Sequence, residues 1–391
     1  MDSETRKVIF QLRKIADQGE STEDEDMTDI DDDVDFEDSD REQKLVGDPK
    51  IISQLASMQG RELESKLISD STKKSVLMLG EFKSGANFVS QIINQRSDAL
   101  YLFEPLSPFG TSCNKEKEVK THVLYQLNKC KFPNQEEIFA KRGNSKSWTA
   151  SICTDHRICF RHRSRALIRP PFCKKPFPNE DKLKQAEALS KCGPVNIRTA
   201  EEYCQDAAIV GAKVHRICDF EEVKNLASNP NADWKFIFVV RDPRAIFASL
   251  EHAKSESGKI ETLCNQLNAN MNYLLNPTSS NWIKKKLLII RFEDLLLKKK
   301  SVINNTNQFL GLDASEDVSN WFDANTKDTL NNWKTRLSSS QLQEVQKRCA
   351  TAMSYLGYKH IAAKAVKSSS TEETLATNWP QSTATTVNEK L

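Results

Sequence analysis

No apolar run in these 391 residues is long enough to cross a bilayer, and no signal-peptide apolar core stands near residue 1. A transmembrane helix within this sequence is therefore not expected. No Cys-x-x-Cys pair occurs either. The nearest thing to a zinc pattern, Cys153-x-x-His156-x-x-Cys159, lacks the paired spacing of structural zinc sites, so no metal is expected. There is no internal repeat, and no recognised nucleic-acid-binding module accompanies the basic stretches, which argues against a nucleic-acid partner. One further absence matters most. After Gly85 the chain has Ala86 and Asn87, where a magnesium-dependent P-loop enzyme needs Lys and then Ser or Thr.

Apolar residues make up only 38% of the chain, and the excess polarity lies at its ends. Between Glu20 and Glu42 the text STEDEDMTDIDDDVDFEDSD is dense in like charge, repels itself and buries little, as solvated tails do. The formal net charge of +2 hides this block; without it the rest stands at about +15, the sign expected of a protein that handles polyanions. The Ser- and Thr-rich stretch after Ser368 also reads as tail. The expected organisation is an acidic segment 1–73, one domain over 74–364 with a Cys-rich insert at about 111–205, and a disordered tail over 365–391. Cys153, Cys159, Cys173, Cys192 and Cys204 cluster in that insert beside Pro170, Pro171, Pro176 and Pro178, which suits a disulfide-stapled loop. Cys218 reads as a packed thiol, and Asn304-Asn305-Thr306 is a glycosylation sequon in a helical pattern.

From Ser75 onward strands and helices alternate as in a doubly wound parallel sheet. Strands are expected at 75–80, 99–103, 208–214, 235–240 and 286–292. Helices are expected from Ala86 to Arg96, Asp219 to about Ala227, Pro243 to about Ala253, after Phe292 to near Leu310, and from about Ser340 to Leu356. Two strand–turn–helix units carry the chemistry. In SVLMLGEFKSGANF, residues 75–88, a glycine turn opens a helix and aims backbone N–H groups at an anion. In FIFVVRDPRAIFASL, residues 236–250, Arg241 ends a strand, Asp242 and Pro243 start a helix, and Ser249 follows about two turns on. A guanidinium and a hydroxyl on one such unit make a second phosphate site.

KSGANF followed by VVRDPRAIFAS resembles the paired 5′-phosphosulfate and 3′-phosphate motifs of sulfotransferases that use 3′-phosphoadenosine 5′-phosphosulfate (PAPS). YLFEPL at 101–106, RFEDLL at 291–296, FLGL at 309–312 and CATAMSYLGYK at 349–359 are similar to carbohydrate 6-O-sulfotransferases acting on galactose, N-acetylgalactosamine or N-acetylglucosamine. The resemblance runs from about Ser75 to Lys359 and is weakest between Thr111 and Cys204. It implies an α/β, P-loop-like sulfotransferase fold with a central parallel sheet flanked by helices. It also implies PAPS as co-substrate without a metal, and a keratan, chondroitin or mucin-type glycan as acceptor. A Golgi-lumenal setting with an N-terminal membrane anchor belongs to that family as well. No such anchor is visible in these residues, so an absent anchor, another route to the compartment and a soluble form all stay open.

Mapped onto this chain, the donor site comprises Lys83, Ser84, Gly85, Ala86, Asn87, Phe88, Arg241 and Ser249, with Lys83 beside the bridging oxygen. Relatives usually carry arginine at the position of Lys83 and two small hydroxyl residues at Ala86 and Asn87. Losing one neutral hydrogen bond there costs on the order of 1 kcal/mol. Glu104, at the end of a strand on the same sheet edge, is the expected general base. Glu293 and Asp294 compete for that role, though RFEDL reads better as a sheet end capping the next helix. Arg244 is ambiguous between phosphate ligand and surface cation. Trp333, Lys334 and Arg336 either close over the nucleotide or simply pack. The basic run RICFRHRSRALIRPPFCKK, 157–175, either lines a groove for sulfated glycans or is a solvated loop. Two rival readings remain at this level, a P-loop nucleotide kinase or NTPase and a non-catalytic glycan- or nucleotide-binding relative.

Overall fold

The computed structural model describes residues 74–106, 117–132, 163–174, 192, 195–215, 217, 219–228, 233–252, 260–276, 283, 285–327, 329–366 and 369–376. Five strands form one sheet: β1 (Lys74–Gly80), β2 (Ala99–Phe103), β3 (Ile209–Val214), β4 (Asp233–Val240) and β5 (Leu287–Arg291). Their order is β2-β3-β1-β4-β5, and every neighbouring pair is parallel. The chain winds from β1 out to β2 and back to β3, then crosses to β4 and β5 on the other side. Strand order therefore reverses at β1, the place where open α/β sheets bind ligands beyond their carboxyl ends.

The strands are apolar on both faces, as sheets covered on both sides must be. Alternation divides them between two cores. Leu77 and Leu79 of β1 and Phe236, Phe238 and Val240 of β4 point into one. Val76, Met78, Ile237 and Val239 point into the other. That second core is closed by α1 (Ala86–Val89) and α2 (Gln91–Asn94), with help from later helices. The first core is closed by α3 (Lys117–Asn128), α4 (Ile197–Asp206), α5 (Phe220–Ala227), α6 (Pro243–His252) and α7 (Ile260–Leu275). After β5 come α8 (Phe292–Leu297), α9 (Lys299–Leu310), α10 (Glu316–Asn325), α11 (Trp333–Arg336), α12 (Ser339–Arg348), α13 (Ala350–Leu356) and α14 (Thr371–Thr374). Of these, α9 and α10 bury Ile303, Leu310, Val318 and Phe322 against the second core, while α12 and α13 return to the first.

The strands fall where the apolar runs predict, within two residues. The helix expected from Ala86 to Arg96 is instead two short pieces hinged at Ser90, whose hydroxyl donates to the Asn87 carbonyl at 2.9 Å. Likewise, the helix expected to end near Leu310 divides at Lys298, and the last expected helix divides at Cys349. Helices α3, α4, α7, α10, α11 and α14 go beyond the expected set. The C-terminal boundary also differs from the expected 364. Thr371, Thr374 and Leu375 are buried, Leu375 bridges Tyr358, and the Ala376 N–H donates to the Gly357 carbonyl at 2.8 Å. Residues 369–376 are thus part of the packed domain, because backbone pairing outweighs a tail-like composition. The acidic segment and residues 377–391 lie outside the described residues.

Disulfides Cys130–Cys204 and Cys173–Cys192 staple the insert, and Cys264–Cys349 ties α7 to the α12–α13 junction. Cys349 reads from the sequence only as an apolar helix position, so this third bridge is a structural finding. Cys153, His156, Cys159 and Cys218 lie outside the described residues. The sequon is internal to α9, and its Thr306 is fully buried with the hydroxyl donating to the Val302 carbonyl at 2.7 Å.

Candidate active site

At the carboxyl edge of the sheet the chain leaves β1 through a tight loop. Lys83 and Gly85 both have positive φ, 62° and 83°. Only glycine suits position 85, because a β-carbon there would overlap the Phe292 ring as well as strain the backbone. Gly80 is needed for a different reason: a β-carbon would stand 2.7 Å from the Ser84 hydroxyl and 3.0 Å from the Val239 carbonyl. The loop closes with Ser84 N–H donating to the Glu81 carbonyl at 3.1 Å and opens α1, where the Phe88 and Val89 N–H groups both donate to the Gly85 carbonyl at 3.0 Å. Ser84 is buried, and neither its hydroxyl nor the Asn87 side-chain oxygen has a partner among the described residues. Such groups are costly unless a ligand or water satisfies them. Ala86 is buried in the core, and Phe88 packs edge-on to Phe322 at 4.9 Å, so Phe88 builds the wall under the loop.

The second motif meets the first directly. Arg241, leaving β4, donates from Nη1 to the Lys83 carbonyl at 3.0 Å, and its guanidinium lies 4.9 Å from the Phe292 ring centre. Asp242 caps α6 as its position predicts, accepting from the Arg244 N–H at 2.9 Å. It also holds the Arg244 guanidinium in a fully buried pair at 2.6 Å. Arg244 further donates to the Gln346 side chain and Lys359 carbonyl and stacks 4.6 Å from Trp333. Arg244 is thus an internal strut, neither the phosphate ligand nor the surface cation that its place in the sequence suggests. Trp333 is correspondingly a packed tryptophan, and Lys334 is buried with Nζ donating to the Ser369 carbonyl at 2.6 Å. Ser249 sits half-buried on α6.

Glu104 follows β2 with φ 48° and is buried. Its carboxylate accepts from Lys213 Nζ at 2.7 Å, and the Lys213 side chain is fully buried. His215, two residues beyond Lys213, completes the group. Its Nε2 is 3.5 Å from the Glu104 carboxylate and contacts Lys213 Nζ, while Nδ1 lies 2.7 Å from the Gly80 carbonyl. A carbonyl only accepts, so Nδ1 carries the proton and Nε2 is the basic nitrogen. Phe82 stacks on the imidazole at 4.4 Å, fastening it to the β1 loop. Lys213 and His215 were missed in the sequence reading. The available signal was a Lys-x-His pair at the end of β3, whose period of two sends both side chains to one face.

Two further carboxyl groups shape the field. Burial lifts the Glu81 carboxyl, within the β1 loop itself, to about 8. Burial, reinforced by the neighbouring Asp242 charge, raises Glu293 as well. Glu293 accepts from the Asp242 N–H and the Tyr358 hydroxyl, both at 2.9 Å. Arg291 holds Asp294 at 2.6 Å and donates to the Leu356 and Ala376 carbonyls. RFEDL therefore clamps the sheet end, as expected of it, while α8 shows no side-chain cap at its N-cap Arg291. Among the described residues no cluster of three or more metal-ligating side chains occurs, and no helix is long and apolar enough to cross a membrane.

A glycine-bearing loop, a strand-end arginine and a Lys–His–Glu group thus share one edge of the parallel sheet. The chain belongs to the sulfotransferase family: residues 73–350 match its sulfotransferase domain. Carbohydrate sulfotransferase 1 of Homo sapiens is 26% identical over 349 residues, covering 75% of this chain and 81% of the relative. Carbohydrate sulfotransferase 3 of Mus musculus is 26% identical over 364 residues, covering 81% and 74% respectively. Among solved structures, the sulfotransferase domain of the Synechococcus PCC 7002 olefin synthase aligns with a TM-score of 0.40 at 15% identity, covering 73% of this chain and 97% of that one.

Proposed function

We propose that this sulfotransferase moves the sulfuryl group of PAPS to a sugar hydroxyl of a glycan, the 6-hydroxyl of galactose, N-acetylgalactosamine or N-acetylglucosamine in a keratan, chondroitin or mucin-type chain. The observation that carries this reading is the 3.0 Å hydrogen bond from Arg241 to the Lys83 carbonyl, which brings two anion-binding motifs into contact beside a buried acid–base group. The partnerless Ser84 hydroxyl and the amide of Asn87 suit the 5′-phosphosulfate, and Arg241 with Ser249 suits the 3′-phosphate. The likeness to carbohydrate sulfotransferases supports the sugar acceptor. Disulfides support an oxidising compartment, for which the Golgi lumen is the proposal.

In the proposed mechanism the sugar oxygen attacks sulfur, the bond from sulfur to the bridging phosphate oxygen breaks, and the hydroxyl proton passes to a base. Glu104 already neutralises Lys213 in a buried pair, whereas His215 carries a basic Nε2 held in a fixed tautomer. His215 is therefore the proposed base, and Glu104 the counter-charge that steadies the imidazolium as it forms. Lys83 supplies positive charge for the leaving phosphate oxygen. The test is transfer of labelled sulfate from PAPS to neutral, sulfated and glucuronate-containing oligosaccharides. Labelled sugar ester is expected, with kcat falling about 10²–10⁴-fold in His215→Ala. Tight binding of adenosine 3′,5′-bisphosphate without transfer to any acceptor would instead establish a non-catalytic binder.

A further inference from the structure

The buried arginines of this protein are paired. Arg96 holds Asp98 at 2.7 Å, Arg244 holds Asp242 at 2.6 Å and Arg291 holds Asp294 at 2.6 Å. Half-buried Arg165 reaches Asp317 at 3.2 Å. Arg163 differs. It is half-buried, no carboxylate pairs with it among the described residues, and its guanidinium instead lies 5.0 Å from the centre of the Phe103 ring. Its backbone adopts φ 52°, a conformation that a residue other than glycine holds only when its surroundings impose it. Arg165 N–H donates to the Asn94 side chain at 2.9 Å, the Arg165 guanidinium contacts the Gln95 carbonyl, and Cys173–Cys192 closes the far end. Next in the chain, Ser164 is buried with a hydroxyl that has no partner among the described residues.

Phe103 also carries Lys213 Nζ, 4.9 Å from its centre, and it immediately precedes Glu104. Arg163 therefore stands within about 10 Å of the ammonium that contacts both Glu104 and His215, on the side of the group contributed by β2. The Tyr101 hydroxyl feels the charges of both Glu104 and Arg163, which places the arginine in the same local field. A guanidinium over an aromatic ring can still donate through its N–H groups to a planar or tetrahedral oxyanion, in a fork that ammonium lacks.

We infer that Arg163, presented on Phe103, forms an acceptor subsite for a sulfate ester or carboxylate borne by a sugar neighbouring the hydroxyl that is sulfated. This deepens the proposed function and rests on it. Three acceptors test it: a neutral N-acetyllactosamine oligosaccharide, the same oligosaccharide with one sulfate ester, and an unsulfated chondroitin oligosaccharide carrying glucuronate. In the unmodified protein at least one charged acceptor should exceed the neutral one about tenfold in kcat/KM, with a KM that rises as NaCl goes from about 50 to 300 mM. Which charged arm responds distinguishes sulfate from carboxylate. Arg163→Gln should bring the charged-to-neutral ratio near one, and Arg163→Lys should leave it intermediate. Affinity for adenosine 3′,5′-bisphosphate, read by calorimetry, should stay within about twofold and so confirm folding. Equal rates on all three acceptors in the unmodified protein, or an unchanged ratio in folded Arg163→Gln, would overturn the inference. Absence of transfer to every acceptor would sink the proposed function instead.

Discussion

Glu81 is an odd residue to find where an anion is to be gripped. An ionised carboxylate there would repel a phosphosulfate, but burial lifts the group to about 8, so below that pH it is neutral. The folded value lies above the unfolded one, so the folded protein holds its proton more tightly. Stability from this group is full below about 4.5 and is lost as pH rises toward 8. Donor KM should accordingly climb above pH 8 in the unmodified protein and stay flat in Glu81→Gln; parallel pH profiles would show that Glu81 does not face the donor. Arg241→Ala should raise donor KM by about 10²-fold, a charged hydrogen bond being worth about 1.5–3 kcal/mol, with a smaller change in acceptor KM. Glu104 makes a different prediction. Removing one partner of a buried pair costs about 3–5 kcal/mol, so Glu104→Ala should lower the thermal midpoint sharply. Glu104→Gln, which keeps an acceptor for Lys213, should preserve more of the fold while still lowering kcat. An Ala variant as stable as the parent would contradict the pairing.

At the scale of elements, strand ends do the positioning. Short continuous apolar runs made all five strands legible, and the Pro243 and Gly85 punctuation placed both motifs beside the sheet edge. Position in sequence could not reveal that Arg241 touches the Lys83 carbonyl, because that contact spans 158 residues. Nor could it reveal Lys213 and His215, whose role depends on β3 lying between β1 and β2. Arg244 and Trp333 stayed open in the sequence for the same reason: a string does not show that in space they pack on each other. The clamp behind the donor loop is likewise tertiary. Tyr358 through Glu293 fixes the Asp242 N–H, and Arg291 reaches Ala376. Truncation after residue 368 should therefore lower stability and raise donor KM together. A truncated protein with unaltered KM would separate this clamp from the site.

For the whole molecule, Cys264–Cys349 bridges a separation of 85 residues and ties the C-terminal helices to α7. Loop-closure entropy gives such a link about 4–5 kcal/mol at most, so the double Ser variant should unfold at lower denaturant with the active-site chemistry intact. The central claim is that one sheet edge grips both ends of a bisphosphorylated adenosine. The most direct measurement is a crystal structure with adenosine 3′,5′-bisphosphate bound. Its 5′-phosphate is expected on the loop from Lys83 to Phe88 and its 3′-phosphate on Arg241 and Ser249, with His215 facing the vacant sulfuryl position. A nucleotide touching only one of these motifs, or bound away from the carboxyl edge, would contradict it.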